Sequence, residues 1–464
     1  MDDKLRVAMI SFHTNPLEQP GVGNAGGMNV YVAALAKALG AQGVKVEIFT
    51  RALESAQTAH TKVGPNVRLW QIPTKTPGAL PINDLVPELP AFVAGVNAVI
   101  AEHPVDVIHS HYWLSGLAGL ALKQQWQLPL VHSMHTLGHT KNSALAPGDF
   151  PESKQRISAE TEIVEKSDAL IAATEHEASE LVSRYQASLE KIVVIPPGVD
   201  RKIFHPLVEP VETTTHPLVD ARYSARPPVA VAALPAPSWP SVEPASGFSA
   251  RAASVPETTG HRKTHYRQIL GLPQHLQTAK IVLFAGRIQK LKNPQLLVET
   301  LPNLPNDTNV IMLGGASGDS LGADELRAQA KALGVGDRLT ILPPVPAATL
   351  ANWYRAADLV AVPSYNETYG LVAAEAICCG TPVVAAAVGG LATIIEDGVT
   401  GVLVGSHDPE AWAAALGALL ADDDARETLA ENCARAANFL TWDEVATKTH
   451  RLYEVALPKS PLTH

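Results

Sequence analysis

The stretch Leu359-Val-Ala-Val-Pro363-Ser-Tyr-Asn-Glu367-Thr-Tyr-Gly370-Leu-Val-Ala-Ala-Glu375 carries the fold in miniature. Four apolar residues without a polar alternate read as a strand covered on both faces. Pro363 lacks the N–H that a ladder needs, so the strand stops there. Gly370 then opens an apolar run with helical spacing. Strand, loop and helix in that order are half of a βαβ unit, which builds parallel sheets.

Outward from this stretch the half-unit recurs. Strands are predicted at Leu5–Phe12, Val44–Thr50, Val67–Ile72, Val105–His109, Leu130–Ser133, Ala169–Ala172 and Ile192–Ile195. After a break at Pro196-Pro197-Gly198 they resume at Ile281–Phe284, Asn309–Leu313, Leu339–Leu342, Leu359–Val362, Pro382–Ala386 and Gly401–Val404. Helices are predicted between them, among them Asp324–Leu333 and Thr349–Ala357, with a helical tail from Pro409 to Leu457. The expected class is α/β, with two doubly wound Rossmann-like domains facing across a cleft, because ligands bind outside the carboxyl ends of such strands. The expected division is residues 1–198, joined by a C-terminal helix at about 443–464, and residues 199–442. Between Pro206 and Arg262 the pattern is lost: ten of the 36 prolines fall there and no lysine does, which predicts a disordered or extended insertion.

Composition narrows the function. Acids exceed bases by 10, so a dedicated nucleic-acid binder is excluded for want of a basic surface, and any anion must be met by a few local cations. The start Met-Asp-Asp-Lys runs into too short an apolar stretch for a signal peptide. The apolar region Leu371–Ile395 is interrupted by Glu375, Gly380, Pro382 and Gly389-Gly390, so no transmembrane segment is expected. Three cysteines, Cys378, Cys379 and Cys433, suit a reduced cytoplasm and read as small buried apolar residues.

A literal G-x-G-x-x-G occurs at Gly21, Gly23 and Gly26, but Gly21 comes nine residues after Phe12, past Pro16, and the second strand ends on Thr50-Arg51 without an acid. A dinucleotide site needs the opposite on both counts. What remains is Gly26-Gly27-Met28-Asn29 before a helix, where backbone N–H groups can meet a phosphate. In the second half Gly286-Arg287 follows a strand and Lys292 comes five residues later, a fork and a point charge suited to a diphosphate. Glu367 and Glu375 flank the helix opened at Gly370 and can accept hydroxyl pairs on either side of that diphosphate. His109, His111 and His132 sit at strand ends among apolar residues and read as satisfied core histidines.

These residues resemble the retaining GT-B glycosyltransferases that share an E-x7-E motif. Met9-Ile-Ser-Phe-His13-Thr, Gly26-Gly-Met-Asn29-Val-Tyr, His109-Ser-His-Tyr-Trp-Leu-Ser-Gly116, His135-Thr-Leu and Lys141-Asn-Ser are similar, more narrowly, to the actinobacterial D-inositol-3-phosphate glycosyltransferase family. That family moves N-acetylglucosamine from UDP-N-acetylglucosamine to 1D-myo-inositol 3-phosphate, the first step of mycothiol biosynthesis. The resemblance implies donor contacts from His13, Gln19, Pro20, Gly27, Arg287, Lys292, Val345 near the uracil, Glu367 on the sugar and Glu375 on the ribose. It implies acceptor contacts from Asn24, Ala25, Gly26, Gly27, Met28, Asn29, Tyr112, Thr136 and Arg156, the last as a phosphate partner. His135, Arg287, Lys292 and Glu367 would carry catalysis, with His135 steadying positive charge at the anomeric carbon.

No organic cofactor is implied. Some members hold a structural magnesium ion through positions matching Tyr354, Arg355, Ala357 and Thr381. A cytoplasmic homodimer is implied as well. Two positions depart from the family pattern: Asn24 stands where it has Asp, and Ile82-Asn83 where it has a phosphate-binding Lys, which leaves Arg156 and Lys75 as the nearby cations. Rival readings are a related transferase with phosphatidylinositol or a sugar phosphate as acceptor, a UDP-N-acetylglucosamine epimerase, and a non-catalytic nucleotide-sugar binder.

Overall fold

The computed structural model describes residues 4–54, 58–206, 259–315 and 322–457. The chain divides into two compact units, Met1–Gly198 with Leu440–His464, and Val199–Phe439.

The first unit is built on eight strands: β1 (Arg6–Ile10), β2 (Lys45–Arg51), β3 (Ala59–Gly64), β4 (Val67–Ile72), β5 (Val107–His111), β6 (Leu130–Ser133), β7 (Ala169–Ala172) and β8 (Ile192–Val194). Their order is β3-β4-β2-β1-β5-β6-β7-β8, parallel except for the antiparallel β3–β4 pair. Successive side chains of β1 point to opposite faces, as the pleat requires. Val7 and Met9 pack with Leu35 and Leu39 and with Val445 and Tyr453 of the helix Trp442–Ala456. Ala8 and Ile10 pack with Phe92, Leu114 and Ile163 on the other face. The sheet is thus covered on both sides. Its strand order reverses between β1 and β5, which lie side by side with Ile10 opposite Ser110.

The second unit repeats the plan with six parallel strands: β9 (Lys280–Ala285), β10 (Thr308–Leu313), β11 (Leu339–Leu342), β12 (Leu359–Val362), β13 (Val383–Ala386) and β14 (Gly401–Val404). The order is β11-β10-β9-β12-β13-β14, so the reversal falls between β9 and β12. Val282, Phe284, Val310 and Met312 meet Leu297, Leu326, Trp412 and Leu416 from the helices. Cys378, Cys379 and Cys433 are buried and free of disulfides.

Two expectations are corrected here. The edge strand β3 was not anticipated, because Ala-His-Thr-Lys-Val-Gly is mostly exposed and carries no apolar run. Its hairpin turns on Asn66, whose φ of 57° suits the short polar side chain of asparagine. The expected insertion lies largely outside the described residues, and a helix, Thr259–Ile269, begins before its anticipated end at Arg262. Among the described residues one helical stretch, Ile82–Glu102, is long and apolar enough to cross a membrane by length and composition. It carries Pro87 and lays Phe92, Val96 and Ile100 into the core of the first unit.

Candidate active site

In a doubly wound sheet the loops at the reversal of strand order part and leave a crevice at the carboxyl edge. Both units place their singled-out residues there. In the first unit β1 runs into Ser11-Phe12-His13-Thr14, fixed by hydrogen bonds from Ser11 Oγ (2.8 Å) and Thr50 Oγ1 (3.2 Å) to the Thr14 carbonyl. The loop then turns at Gly21 and Gly23, with φ of 94° and 52°. It ends at the helix Gly27–Ala41, whose first amides lack an intrahelical carbonyl and can serve an anion.

Asn29, expected at the acceptor, is tied into the loop itself. It is buried, its Oδ1 accepts from Gly26 N at 3.0 Å, and its Nδ2 donates to Thr14 Oγ1 (2.9 Å) and the Asn15 carbonyl (2.7 Å). Its polar atoms clamp the loop. Ala25 is likewise buried, bonded through its backbone to Gly21 and Val22. Asn24, Gly26 and Met28 are half-buried, whereas Gln19 and Gly27 are exposed.

Across the reversal, β5 delivers Tyr112 with φ 73° and ψ 155°, a combination otherwise left to glycine that costs about 1–3 kcal/mol. Three contacts impose it. The Tyr112 N–H donates to the Ser133 carbonyl at 3.0 Å, the His13 ring lies 4.6 Å from the tyrosine ring, and the Arg156 guanidinium covers that ring at 4.9 Å. Arg156, expected as a phosphate partner, is 2% exposed and paired within the first unit. Nε donates to Glu160 at 2.7 Å and Nη1 reaches Glu152 at 3.1 Å, so its charge is matched twice over. Nη1 also donates to Tyr112 Oη (3.1 Å), and Nη2 donates to the Thr136 carbonyl (3.1 Å) and Oγ1 (2.9 Å). Arg156 therefore orients Tyr112 and Thr136, two residues expected at the acceptor. Glu152 pairs with Lys141 as well; burial alone would raise its carboxyl, but the two cations hold it below the usual range.

The histidines line the ends of β5 and β6. His109 is satisfied at both nitrogens, by Tyr453 Oη at 2.6 Å and Ser133 Oγ at 3.0 Å. His132 bonds Ser110 Oγ at 2.7 Å through Nδ1, while its Nε2 has no partner among the described residues. His135, at φ 60°, bonds His111 Nδ1 through its Nε2 at 3.0 Å. Burial pushes His132 and His135 down to about 3, so both rings are neutral at neutral pH. A neutral ring and a carbonyl are the electron-rich groups that positive charge at an anomeric carbon requires.

The second unit is held open by glycines and closed by charge. A Cβ on Gly314 would lie 1.8 Å from the Gly286 carbonyl, so the ends of β9 and β10 can approach only without one. Past Gly286 come the half-buried Arg287 and the turn Lys290–Lys292. Lys292 Nζ meets Glu367 Oε1 at 2.5 Å, and Ser364 Oγ donates to the same oxygen at 3.0 Å. The Tyr365 N–H donates to the Leu291 carbonyl (2.9 Å), which ties the two loops together. Gly370 adopts φ 108° as the cap of the helix Leu371–Cys378. The Gly389-Gly390 turn presses on the Glu367 carbonyl, which accepts from Gly390 N at 2.8 Å. Lys292 and Glu367 thus meet where β9 and β12 adjoin, with Arg287 in the loop after β9 and the helix opening at Gly370 after β12. Ser364 was missed; it is an unremarked serine three residues before Glu367, and only the fold shows its grip.

Glu375 is buried eight residues further on and accepts from Tyr354 Oη at 2.9 Å. Burial raises its carboxyl to about 7. Val345 is half-buried in the loop after β11. The expected magnesium positions do converge: Tyr354, Arg355 and Ala357 end the helix Ala347–Ala356, and Thr381 Oγ1 donates to the Tyr354 carbonyl at 2.7 Å. They offer carbonyl and hydroxyl oxygens but no carboxylate, and the Arg355 guanidinium lies beside them, bonded to the Ile203 and His205 carbonyls. Magnesium prefers an octahedral shell with carboxylates and water, so the donor set fits it poorly. Among the described residues no group of three or more His, Cys, Asp or Glu could hold a metal.

Comparison with known proteins agrees with this layout. Residues 26–198 match the Glycosyl transferase 4-like domain, and residues 271–436 match Glycosyl transferases group 1. The chain is 46% identical to the D-inositol 3-phosphate glycosyltransferase of Xylanimonas cellulosilytica, over 98% of each chain. It is 42% identical to that of Salinispora tropica, over 97% of this chain and 86% of the relative. Among solved structures, sucrose-phosphate synthase from Thermosynechococcus elongatus superposes with a TM-score of 0.80 at 28% identity, covering 97% of this chain and 99% of that one. With its two Rossmann-like units of GT-B type, this chain belongs to the D-inositol 3-phosphate glycosyltransferase family.

Proposed function

We propose that this enzyme transfers N-acetylglucosamine from UDP-N-acetylglucosamine to 1D-myo-inositol 3-phosphate with retention of configuration, the first step of mycothiol biosynthesis. The observation that carries the reading is full-length identity of 46% to a relative of that name. The Lys292–Glu367 pair at the β9/β12 reversal, with Arg287 in the adjoining loop after β9, supports it chemically.

In the transfer, the bond from the anomeric carbon to the diphosphate oxygen breaks and a bond to the inositol oxygen forms on the same face. Arg287, Lys292 and the amides opening at Gly370 offset the charge that develops on the leaving diphosphate. That diphosphate takes the proton of the attacking hydroxyl and departs as UDP. A double displacement needs a carboxylate beneath the anomeric carbon. Glu152 and Glu160, the carboxylates beside Tyr112 and Thr136, are both engaged by Arg156 and do not provide one. Glu367 turns from Lys292 to a sugar hydroxyl while Lys292 turns to phosphate, and Glu375 accepts from the ribose. The enzyme works as a cytoplasmic homodimer, and no step runs through a metal.

The test is product analysis by NMR after incubation with UDP-N-acetylglucosamine and inositol 3-phosphate. A new glycoside with the donor's anomeric configuration, formed one for one with UDP, is expected. An inverted linkage, or a sugar epimer formed without the acceptor, would overturn the assignment.

A further inference from the structure

We propose that Tyr354 is a positioning residue for donor recognition: its hydroxyl holds one oxygen of the Glu375 carboxylate, so that the other is presented to a ribose hydroxyl. The inference rests on the assignment of Glu375 to the donor ribose, and its test separates the two.

Glu375 is the one charged side chain of the helix Leu371–Cys378, which is otherwise Leu, Val, Ala, Ile and Cys. It is 8% exposed, and among the described residues no cation pairs with it. A carboxylate buried without a counter-ion costs the fold stability, so the packing of this helix gives no reason for it. Its hydrogen bond among the described residues is the one from Tyr354 Oη to Oε2, at 2.9 Å. The direction of that bond is set by chemistry. An ionised carboxylate only accepts, so the tyrosine donates.

Tyr354 is built to stay where it is. It is fully buried near the end of the helix Ala347–Ala356. Its ring lies 6.0 Å from that of Phe204, centroid to centroid, and its carbonyl accepts from Thr381 Oγ1 at 2.7 Å. Backbone and ring are thus both held, and the buried hydroxyl finds its acceptor in Glu375. The terminal torsion of a glutamate has no sharp minimum of its own, so a free carboxylate swings widely. The bond to a fixed hydroxyl removes that freedom. A ribose hydroxyl then meets an acceptor already oriented, and binding does not have to order it.

The test compares UDP with 2′-deoxy-UDP, which lacks one of the two ribose hydroxyls. Calorimetric titration is run on the full chain at about pH 8, above the value of about 7 to which burial raises the carboxyl. The native enzyme should prefer UDP by about 10- to 100-fold, the worth of a hydrogen bond to a charged group. Tyr354→Phe, which removes only the hydroxyl, should cut that preference to within about 3-fold and leave affinity for the deoxynucleotide near native. Glu375→Gln should cut it similarly, and the double variant should be no worse than either single one, because the two residues act as one contact. A preference lost in Glu375→Gln but kept in Tyr354→Phe would overturn the positioning and leave the ribose assignment standing. Equal weakening of both nucleotides in Tyr354→Phe would make the tyrosine a packing residue and overturn it too. A native preference in Glu375→Gln would sink the ribose assignment, and the positioning with it. The crystal structure of the native enzyme with UDP gives a reading that needs no variant: the tyrosine should remain on one carboxylate oxygen with a ribose hydroxyl on the other. A carboxylate turned away from Tyr354, with both oxygens on the ribose, would contradict the proposal.

Discussion

The two strand-order reversals are built alike and charged oppositely. At β9/β12 the charge is on show: Lys292 and Glu367 are partly exposed, and among the described residues their side chains join each other and Ser364. At β1/β5 it is spent: Arg156 is sealed between Glu152 and Glu160, and the histidines beyond it are neutral. One fold therefore holds an ion pair that can yield at one reversal and a buried, closely matched one beside the other.

The sharpest way to break this contrast is to treat the two cations alike. Arg156→Ala leaves Glu160 buried and uncompensated, which typically costs about 3–5 kcal/mol. Calorimetry should show a large fall in Tm, and a native Tm would mean that the pair is not sealed. Lys292→Ala removes a partly exposed cation, so Tm should hardly move. Its kcat should instead fall by about 10²- to 10³-fold, as when one donor to a developing anion is lost. Equal losses of stability in both variants would erase the distinction.

A third, smaller effect probes the neutral side. Glu177 is buried near Tyr31, and burial raises its carboxyl from 4.5 to about 7. Between those values the folded chain keeps a proton that the unfolded chain releases, so stability falls as pH rises from about 4.5 to 7 and is level above. Glu177→Gln should therefore raise Tm at pH 8, by up to about 3 kcal/mol of stability, and leave it near native at pH 4.5. A gain that is equal at both pH values would place the carboxylate in contact with water. Smallest of all is Tyr112→Gly, which relieves a backbone cost of about 1–3 kcal/mol but removes the ring under Arg156. Its Tm should change little, while the KM for the acceptor rises.

Much of this was legible in the chain. The parallel strands announced themselves because both faces are covered, as Leu359–Val362 and Leu130–Ser133 show, and β3 was hidden because it is an exposed edge. Arg287, Lys292 and Glu367 were legible because an ion and a glycine next to a strand end keep their meaning in the fold. The ion pairs of Arg156 had a signal of their own that the reading did not use: Glu152 and Glu160 stand four residues to either side, the spacing at which carboxylates reach a guanidinium. The clamp made by Asn29, the strained Tyr112 and the His111–His135 bond join residues far apart in sequence, and no local pattern encodes them.

The measurement closest to the central claim is UDP release from UDP-N-acetylglucosamine with inositol 3-phosphate set against inositol alone. The account predicts rapid release with the phosphorylated acceptor and little with inositol. Equal rates with both would contradict it, because a site chosen for an inositol phosphate must be sensitive to the phosphate.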